Sequence, residues 1–181
     1  MKFKITLKID RKHGDLLPFN YQYEQSAVIY RILAQADTQY SSWLHENGYL
    51  LHERKRFKLF CYSPFIFEKV RPLPEAGCLK IIGERAVWSI SFIPEKSTLE
   101  FIQGIFAHQS FSIGNKKYQV AFDVVGVEAI SMPQLTEQMA FQAMSPICVK
   151  LHEDNKTQYL SPDNPMFADG ILKGLMARYE S

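Results

Sequence analysis

Cysteine, long apolar runs and net charge are all scarce in this sequence of 181 residues. The three cysteines, Cys61, Cys78 and Cys148, include no CxxC pair. Zinc ribbons and thioredoxin-like redox sites are thereby excluded, and no disulfide framework is expected. No segment approaches 18 consecutive apolar residues, and the N-terminus has neither the apolar region nor the cleavage site of a signal peptide. We therefore expect a reduced, cytoplasmic protein with no membrane partner.

Several motifs of common enzyme classes are also missing. The sequence contains no GxGxxG, no phosphate-binding GxxxxGK[ST], no HExxH and no GxSxG. The scattered histidines and cysteines lack the spacing of metal ligands. The sequence therefore predicts neither a metal site nor a bound cofactor.

The net charge is only +2, which argues against a uniformly basic protein that coats polyanions. The charges are nevertheless unevenly distributed along the chain. Residues 1–71 hold 12 basic and 7 acidic side chains, whereas residues 72–181 hold 9 basic and 12 acidic ones. An anionic partner is therefore expected to meet the N-terminal part.

Hydrophobic patterning predicts an α+β fold. Residues 3–9 alternate between apolar and polar side chains, which is typical of a half-buried strand with a basic outer side. Further along, the pattern predicts a helix at 23–36, a short helix to 47, strands at 57–63, 78–82 and 86–93, a helix at 94–107 and a strand at 118–130. Strands 78–82 and 86–93 are predicted to form a hairpin. This βαββαβ order, with one added helix, predicts a ferredoxin-like (RRM-like) unit.

Residues 135–181 predict only part of a second unit. The pattern indicates a strand at 137–151 interrupted at Ser145-Pro146, a short strand at 158–160 and a helix at 166–179. No returning strands follow, so apolar surface is left open. We expect a ferredoxin-like domain at 1–131 that carries the candidate catalytic residues. An incomplete second ferredoxin-like domain is expected at 135–181, either truncated or covered differently at its open edge.

Cations and aromatic rings are interleaved in residues 54–62. Four cations occupy five positions beside three rings: Arg54, Lys55, Arg56 and Lys58 with Phe57, Phe60 and Tyr62. This composition suits single-stranded RNA, because cations meet phosphates while rings stack on bases. The alternative is a solvated loop that runs into an edge strand, where lysines discourage aggregation.

Two histidines, His45 and His52, precede this basic segment. A histidine can take a proton from a hydroxyl or return one to a leaving group near neutral pH. Either histidine could equally be a structural surface residue. Tyr30 could be an aromatic residue at the edge of the core, and Lys58, in a predicted strand, could be a solvated charge.

The order of several motifs resembles a known family. The segments are Leu-Pro-Phe-Asn-Tyr at 17–21 before the helix with Tyr30, Leu-His-Glu at 44–46, Phe-Lys-Leu-Phe-Cys-Tyr-Ser at 57–63, Ser-Pro-Ile at 145–147 and the stretch from Tyr159-Leu160 to the helix ending at Tyr179. Together they resemble the CRISPR-associated repeat-RNA endoribonucleases known as Cas family six. The resemblance covers essentially the whole chain.

This resemblance implies a metal-independent endoribonuclease with RNA as its partner. Family members cut CRISPR precursor RNA within each repeat, where a 2′-hydroxyl attacks the adjacent phosphate and leaves 2′,3′-cyclic phosphate and 5′-hydroxyl ends. Some members use a Tyr, His and Lys triad, which corresponds to Tyr30, His45 and Lys58. In these roles His45 acts as base or acid, Tyr30 as its proton-transfer or positioning partner, and Lys58 offsets transition-state charge. His52 remains the rival to His45.

The RNA-binding residues expected beside this triad are Lys4, Arg54, Lys55, Arg56 and Phe57. The expected partner is CRISPR repeat RNA, single-stranded or hairpinned, and a homodimer or a place in a CRISPR effector complex is left open. The family's usual glycine-rich C-terminal loop is absent from the sequence given. Two alternatives therefore stand: a CRISPR repeat RNA-binding subunit without catalysis, and a ferredoxin-like interaction protein unrelated to RNA.

Overall fold

The computed structural model describes residues 1–51, 55–131, 133–143, 145–153 and 156–180. The helices are α1 (Gln22–Ala36), α2 (Thr38–Glu46), α3 (Glu95–Ala107) and α4 (Met166–Tyr179), with 3₁₀ turns at Arg11–His13 and Pro74–Ala76. The strands are β1 (Lys2–Asp10), β2 (Leu16–Pro18), β3 (Tyr49–Leu51), β4 (Lys55–Phe57), β5 (Phe60–Tyr62), β6 (Ile66–Phe67), β7 (Val70–Leu73), β8 (Cys78–Ile81), β9 (Arg85–Phe92), β10 (Ser110–Gly114), β11 (Gln119–Ile130), β12 (Val149–Glu153) and β13 (Lys156–Leu160).

The chain divides into two compact units, and each unit is built from two separate segments of the sequence. The first unit comprises Met1–Glu46 and Phe60–Gln134. The second unit comprises Asn47–Leu59 and Leu135–Ser181. The 13 residues 47–59 therefore interrupt the sequence of the first unit and belong to the second unit.

The first unit is a ferredoxin-like fold. Its main sheet has the order β10-β11-β1-β9-β5, with β6 also paired to β9, and every pairing is antiparallel. Helix α1 connects β1 to the β5 edge and packs on α3, which connects β9 to the β10–β11 hairpin. The predicted α+β ferredoxin-like class and its βαββαβ order are confirmed.

Strand β1 shows why this sheet forms. Its apolar side chains Phe3, Ile5, Leu7 and Ile9 are buried, whereas the lysines between them are exposed, as the alternation predicted. Burying each large apolar side chain contributes about 1.5–3 kcal/mol, so this face fixes both the register and the helix side of the sheet. The largest fully buried side chains are Trp88 and Phe92 of β9, Phe101 of α3 and Phe122 of β11.

A glycine lets the two long helices approach. A Cβ added at Gly104 of α3 would lie 1.8 Å from the main-chain oxygen of Ile32 in α1. Any other residue at this position would push the helices apart. The α1–α3 layer therefore depends on the absence of a side chain at Gly104.

The predicted hairpin between 78–82 and 86–93 is wrong. Strand β8 instead joins a separate three-stranded sheet of order β2-β8-β7, while β9 lies in the main sheet. The turn between them is held by a different segment, because the Glu68 carboxylate accepts the N–H groups of Glu84 and Arg85. The main-chain oxygen of Lys69 likewise accepts the N–H groups of Ile82 and Gly83. These hydrogen bonds hold the connection between β8 and β9, which lie in different sheets.

Two other predicted strands are also corrected. The single strand at 57–63 is two strands, β4 and β5, broken at Lys58 and Leu59, where Leu59 has φ of 53°. The strand predicted from 137 to 151 begins only at Val149. The described residues of 135–147 are almost all exposed, so they have no buried apolar face that would favour a strand.

The second unit contains two small sheets and one helix. Strands β3 and β4 form one antiparallel pair, and β12 and β13 form another. Helix α4 has the bounds that the sequence predicted, and its Gly170 lies against β12, where an added Cβ would be 2.4 Å from Val149 Cγ1. Along the described ranges, no helix combines the length and apolar character needed to span a bilayer.

Candidate active site

Tyr30 and His45 meet on two consecutive helices of the first unit. Tyr30 lies on α1 and is half-buried, and His45 lies on the last turn of α2 and is exposed. Their rings meet edge to face, with centroids 4.9 Å apart and planes at 85°. The structure thus brings together two of the three residues predicted to be catalytic.

Asp37 joins these two helices. Its main-chain N–H donates to the oxygen of Leu33, which ends α1, and its carboxylate accepts the N–H of Tyr40 at 2.8 Å, which begins α2. The ammonium of Lys96 on α3 lies 3.1 Å from the same carboxylate. The hydrogen bond from Tyr40, and then Lys96, hold the pKa of Asp37 below its usual range. Asp37 therefore connects α2 to α1 through hydrogen bonds and to α3 through its ion pair with Lys96.

The inner face of α2 fixes the position of His45. Ser41 is buried, and its hydroxyl donates a hydrogen bond of 2.8 Å to the main-chain oxygen of Tyr30. Leu44 is fully buried one turn later. Because Ser41 and Leu44 point inward, the next residue, His45, comes to the edge of the helix beside the Tyr30 ring.

Aromatic rings surround the other side of Tyr30. Phe60 at the start of β5 lies edge-on to the Tyr30 ring at 5.8 Å, and it also contacts Phe92 and Tyr62. Burial, and secondarily the neighbouring Tyr62, raises the pKa of Tyr30 above its usual value. Like any phenol at neutral pH, the Tyr30 hydroxyl is protonated and can act as a hydrogen-bond donor, and the raised pKa extends that state to higher pH.

Gln25 is a supporting residue that sequence reasoning missed. It is fully buried on α1, and its side-chain N–H donates to the main-chain oxygen of Ser63 at 2.9 Å. Ser63 follows β5, so this bond ties the helix that carries Tyr30 to the strand that carries Phe60. A polar residue within the buried stripe of a predicted helix was the available signal.

Lys58 belongs to the second unit and lies between strands rather than in one, which corrects the sequence prediction. Burial, and secondarily the charge of Arg56, lowers the pKa of Lys58 below its usual value. Gly48 forms part of its surroundings and has φ of 69°. A Cβ at Gly48 would lie 2.7 Å from the oxygen of Phe57 and 3.3 Å from the Lys58 ammonium. Gly48 thus leaves the space that the Lys58 side chain occupies.

The predicted RNA-binding residues are found in both units. Lys4 lies on the exposed side of β1, with its ammonium 3.4 Å from the Glu128 carboxylate. Arg56 is exposed on β4, and the ring of Phe57 packs beneath the Arg178 guanidinium at 5.4 Å. Lys55 begins β4. Arg54 and the rival histidine His52 lie outside the described residues.

Two family models match consecutive parts of this chain. CRISPR-associated protein Cas6, N-terminal, matches residues 16–123, and CRISPR associated protein Cas6, C-terminal, matches residues 130–181. The chain belongs to the Cas6 family. The family that the motifs around Tyr30, His45 and Lys58 had indicated is thereby confirmed.

Curated Cas6 relatives are similar at low identity over nearly the whole chain. The CRISPR-associated endoribonuclease Cas6 1 of Methanocaldococcus jannaschii is 26% identical over 183 residues, covering 98% of this chain and 66% of the relative. The CRISPR-associated endoribonuclease-like protein Cas6nc of Pyrococcus horikoshii is 25% identical over 184 residues, covering 99% and 70%. This chain therefore spans about two thirds of the length of these Cas6 relatives.

Solved structures of Cas6-related proteins share the fold. The product of a Cas6-related gene from Pyrococcus furiosus superimposes with a TM-score of 0.78, 24% identity and coverage of 99% of this chain and 69% of that one. A structure described as an RAMP protein binding different RNA substrates gives a TM-score of 0.75 at 24% identity, with coverage of 99% and 70%. At this identity, the similarity establishes the fold alone.

Proposed function

We propose that this chain carries the catalytic residues of an endoribonuclease that cleaves CRISPR precursor RNA within its repeats. The observation that carries the proposal is the contact between Tyr30 and His45 in a chain of the Cas6 family. The solved relative described as binding different RNA substrates supports RNA as the ligand class.

In this proposal His45 is the general base. A neutral imidazole takes the proton of a 2′-hydroxyl while its oxygen forms a bond to the adjacent phosphorus. The bond from phosphorus to the 5′-oxygen breaks, and that oxygen takes up a proton that the His45 imidazolium returns, directly or through the Tyr30 hydroxyl, so that His45 is neutral again at the end. The products are a 2′,3′-cyclic phosphate and a 5′-hydroxyl, and the atoms balance without a metal or a cofactor.

Tyr30 and Lys58 act on the phosphate in this reaction. The protonated Tyr30 hydroxyl serves as a donor to the reacting phosphate or to the leaving 5′-oxygen. The Lys58 ammonium offsets the negative charge that develops on phosphorus oxygens. In the sequence, Lys58 lies two residues before Phe60, whose ring contacts Tyr30.

The test is single-turnover cleavage of a CRISPR repeat RNA in EDTA by the wild-type chain and by His45→Ala and Tyr30→Phe. We expect each variant to lose about 10²–10⁴-fold in rate, the usual contribution of a positioned acid or base. The controls are His108→Ala and Tyr23→Phe, which change an exposed histidine after α3 and an exposed tyrosine on α1.

Three outcomes would contradict parts of this proposal. Undiminished cleavage by His45→Ala would remove that residue from the mechanism. Specific binding without any product, even at long times, would leave an RNA-binding subunit. If no repeat RNA binds at any salt concentration, the chain is an interaction protein of the same fold.

A further inference from the structure

A small basic surface of the first unit lies away from Tyr30 and His45. Residues of two turns line an open polar depression of about 510 Å³, which we call the turn pocket. It is lined by His13, Gly114, Asn115, Lys116, Lys117 and Gln119. Two lysines and a histidine on one small concave surface suit an anionic ligand.

The β10–β11 turn holds its lysines in a fixed frame. The side-chain oxygen of Asn115 accepts the N–H groups of Lys117 and Tyr118, each at 2.9 Å. Gly114 has φ of 135°, and a Cβ there would lie 2.1 Å from the Tyr118 oxygen. This turn therefore requires both its asparagine and its glycine, and the main chain under Lys116 and Lys117 is already ordered before a ligand arrives.

Local acids do not neutralise these two lysines. The Asp10 carboxylate accepts the N–H of Lys12 and pairs with the Lys12 ammonium at 3.2 Å. Within the part of the chain that the structure describes, no carboxylate lies within 4.0 Å of the Lys116 or Lys117 ammonium. Lys117 lies 4.8 Å above the Tyr118 ring, a contact that leaves its N–H groups able to bind an acceptor.

The turn pocket and the candidate active site lie at opposite ends of β1. Phe60, which contacts Tyr30, pairs with Phe92 near the start of β1, whereas Asp10 at its other end pairs with Ala121 beside the β10–β11 turn. A strand of nine residues spans roughly 30 Å. Exposed lysines mark the open side of β1 between these ends, at Lys2, Lys4 and Lys8.

We propose that the turn pocket binds backbone phosphates of the same RNA, at a segment remote from the bond that is cut. This inference rests on the proposed function. Lysine ammonium groups bind phosphate as point charges without reading a base, so Lys116 and Lys117 contribute affinity and leave sequence choice to other residues. Between the two ends of β1, Lys4 is paired with Glu128 and Lys8 lies opposite Asp123, so the affinity is assigned to the turn pocket and not to the strand.

The experiment compares Lys116→Ala/Lys117→Ala with a control of equal charge change, Lys69→Ala/Lys156→Ala. Both control lysines are exposed and lie outside the turn pocket. Binding of a CRISPR repeat RNA is measured over a salt series, and the single-turnover rate is measured at saturating protein. A second series uses repeat RNAs shortened stepwise from each end.

We expect the turn-pocket variant to bind at least tenfold more weakly than the control. The slope of log affinity against log salt should fall by about 1.4, because each phosphate contact of single-stranded RNA contributes about 0.7. The cleavage rate at saturation should equal that of wild type. The affinity defect should disappear for RNAs too short to extend roughly 30 Å from the cleaved bond.

Two results would overturn the inference in distinguishable ways. If wild type binds and cleaves RNA while the turn-pocket variant matches the control in affinity and salt slope, the turn pocket is not an RNA site and the proposed function stands. If wild type binds no RNA, both the proposed function and this inference are wrong.

Discussion

The hydroxyl of Ser41 donates a hydrogen bond to the main-chain oxygen of Tyr30, 2.8 Å away. This bond joins the helix that carries His45 to the residue whose ring His45 contacts. The two proposed catalytic groups are therefore coupled through the backbone as well as through their rings.

Ser41→Ala should lower both stability and cleavage. The Tyr30 carbonyl lies within α1 and keeps its helical partner, so loss of the Ser41 hydroxyl costs about 0.5–1.5 kcal/mol, the net value of one hydrogen bond. The shift of α2 should reduce the single-turnover rate beyond what the lost stability explains. The control is Ser42→Ala, the adjacent exposed serine, which should leave both quantities unchanged in thermal unfolding and cleavage assays. Equal behaviour of the two variants would contradict a positioning role for Ser41.

The lowered pKa of Lys58 predicts an alkaline limit to the reaction. Cleavage requires the charged ammonium, so the rate should fall as pH rises through a value below the ordinary lysine pKa of 10.5. Arginine keeps its charge at this pH, so Lys58→Arg should move the fall to higher pH even where its maximal rate is reduced. The measurement is a pH–rate profile corrected for hydrolysis without protein.

Lys69→Arg provides the control for this profile and should leave the alkaline limit in place, because Lys69 is exposed on the first unit. An alkaline limit at the same pH in wild type and in Lys58→Arg would show that another group titrates. The proposed role of Lys58 would then fail.

Gly48→Ala should impair cleavage because of crowding at Lys58. Both Gly48 and Gly77 have positive φ, at 69° and 64°, so alanine strains the backbone at either position by about 1–3 kcal/mol. A Cβ at Gly77 meets nothing within 4 Å, whereas one at Gly48 meets the Phe57 oxygen and the Lys58 side chain. Denaturant unfolding and single-turnover rates of both variants separate strain from crowding. If Gly77→Ala loses as much activity, crowding at Lys58 has no effect.

Gln25→Ala should loosen the connection between α1 and β5. Its buried amide donates to Ser63, and removal leaves that carbonyl unsatisfied at a cost of about 1–3 kcal/mol. Gln22→Ala, an exposed glutamine on the same helix, should cost only a few tenths of that amount. Thermal unfolding of the two variants gives the comparison. Indistinguishable midpoints would contradict this account of Gln25.

The sequence predicted the parts of the fold that depend on local periodicity. The alternation of β1 and the apolar stripes of α1 and α3 placed these elements correctly, α4 has the predicted bounds, and Tyr30 and His45 followed on consecutive helices. Local patterns could not predict that β8 leaves the main sheet, because that choice depends on bonds from Glu68 and Lys69 to the turn. The interruption between β4 and β5 at Lys58 and Leu59 could not be predicted from the sequence either, because leucine rarely adopts the positive φ that Leu59 has.

The candidate site was predictable only where a motif carried it. Tyr30, His45 and Lys58 are side chains whose types suggest chemistry, and family motifs mark their positions. Gln25, Ser41 and Gly48 act through burial, a carbonyl partner and an empty volume. These properties exist only in the folded chain; of the three residues, only Gln25 left a signal in the sequence, as a polar residue within the apolar stripe of a predicted helix.

The most direct test of the central claim is the identity of the groups that cleavage leaves on a CRISPR repeat RNA. Wild-type protein in EDTA should produce a 2′,3′-cyclic phosphate and a 5′-hydroxyl, and the same RNA with a 2′-deoxy sugar at the cleaved position should remain intact. Products with a 3′-hydroxyl and a 5′-phosphate, or cleavage of the deoxy substrate, would contradict attack by the 2′-hydroxyl and with it the proposed roles of Tyr30, His45 and Lys58.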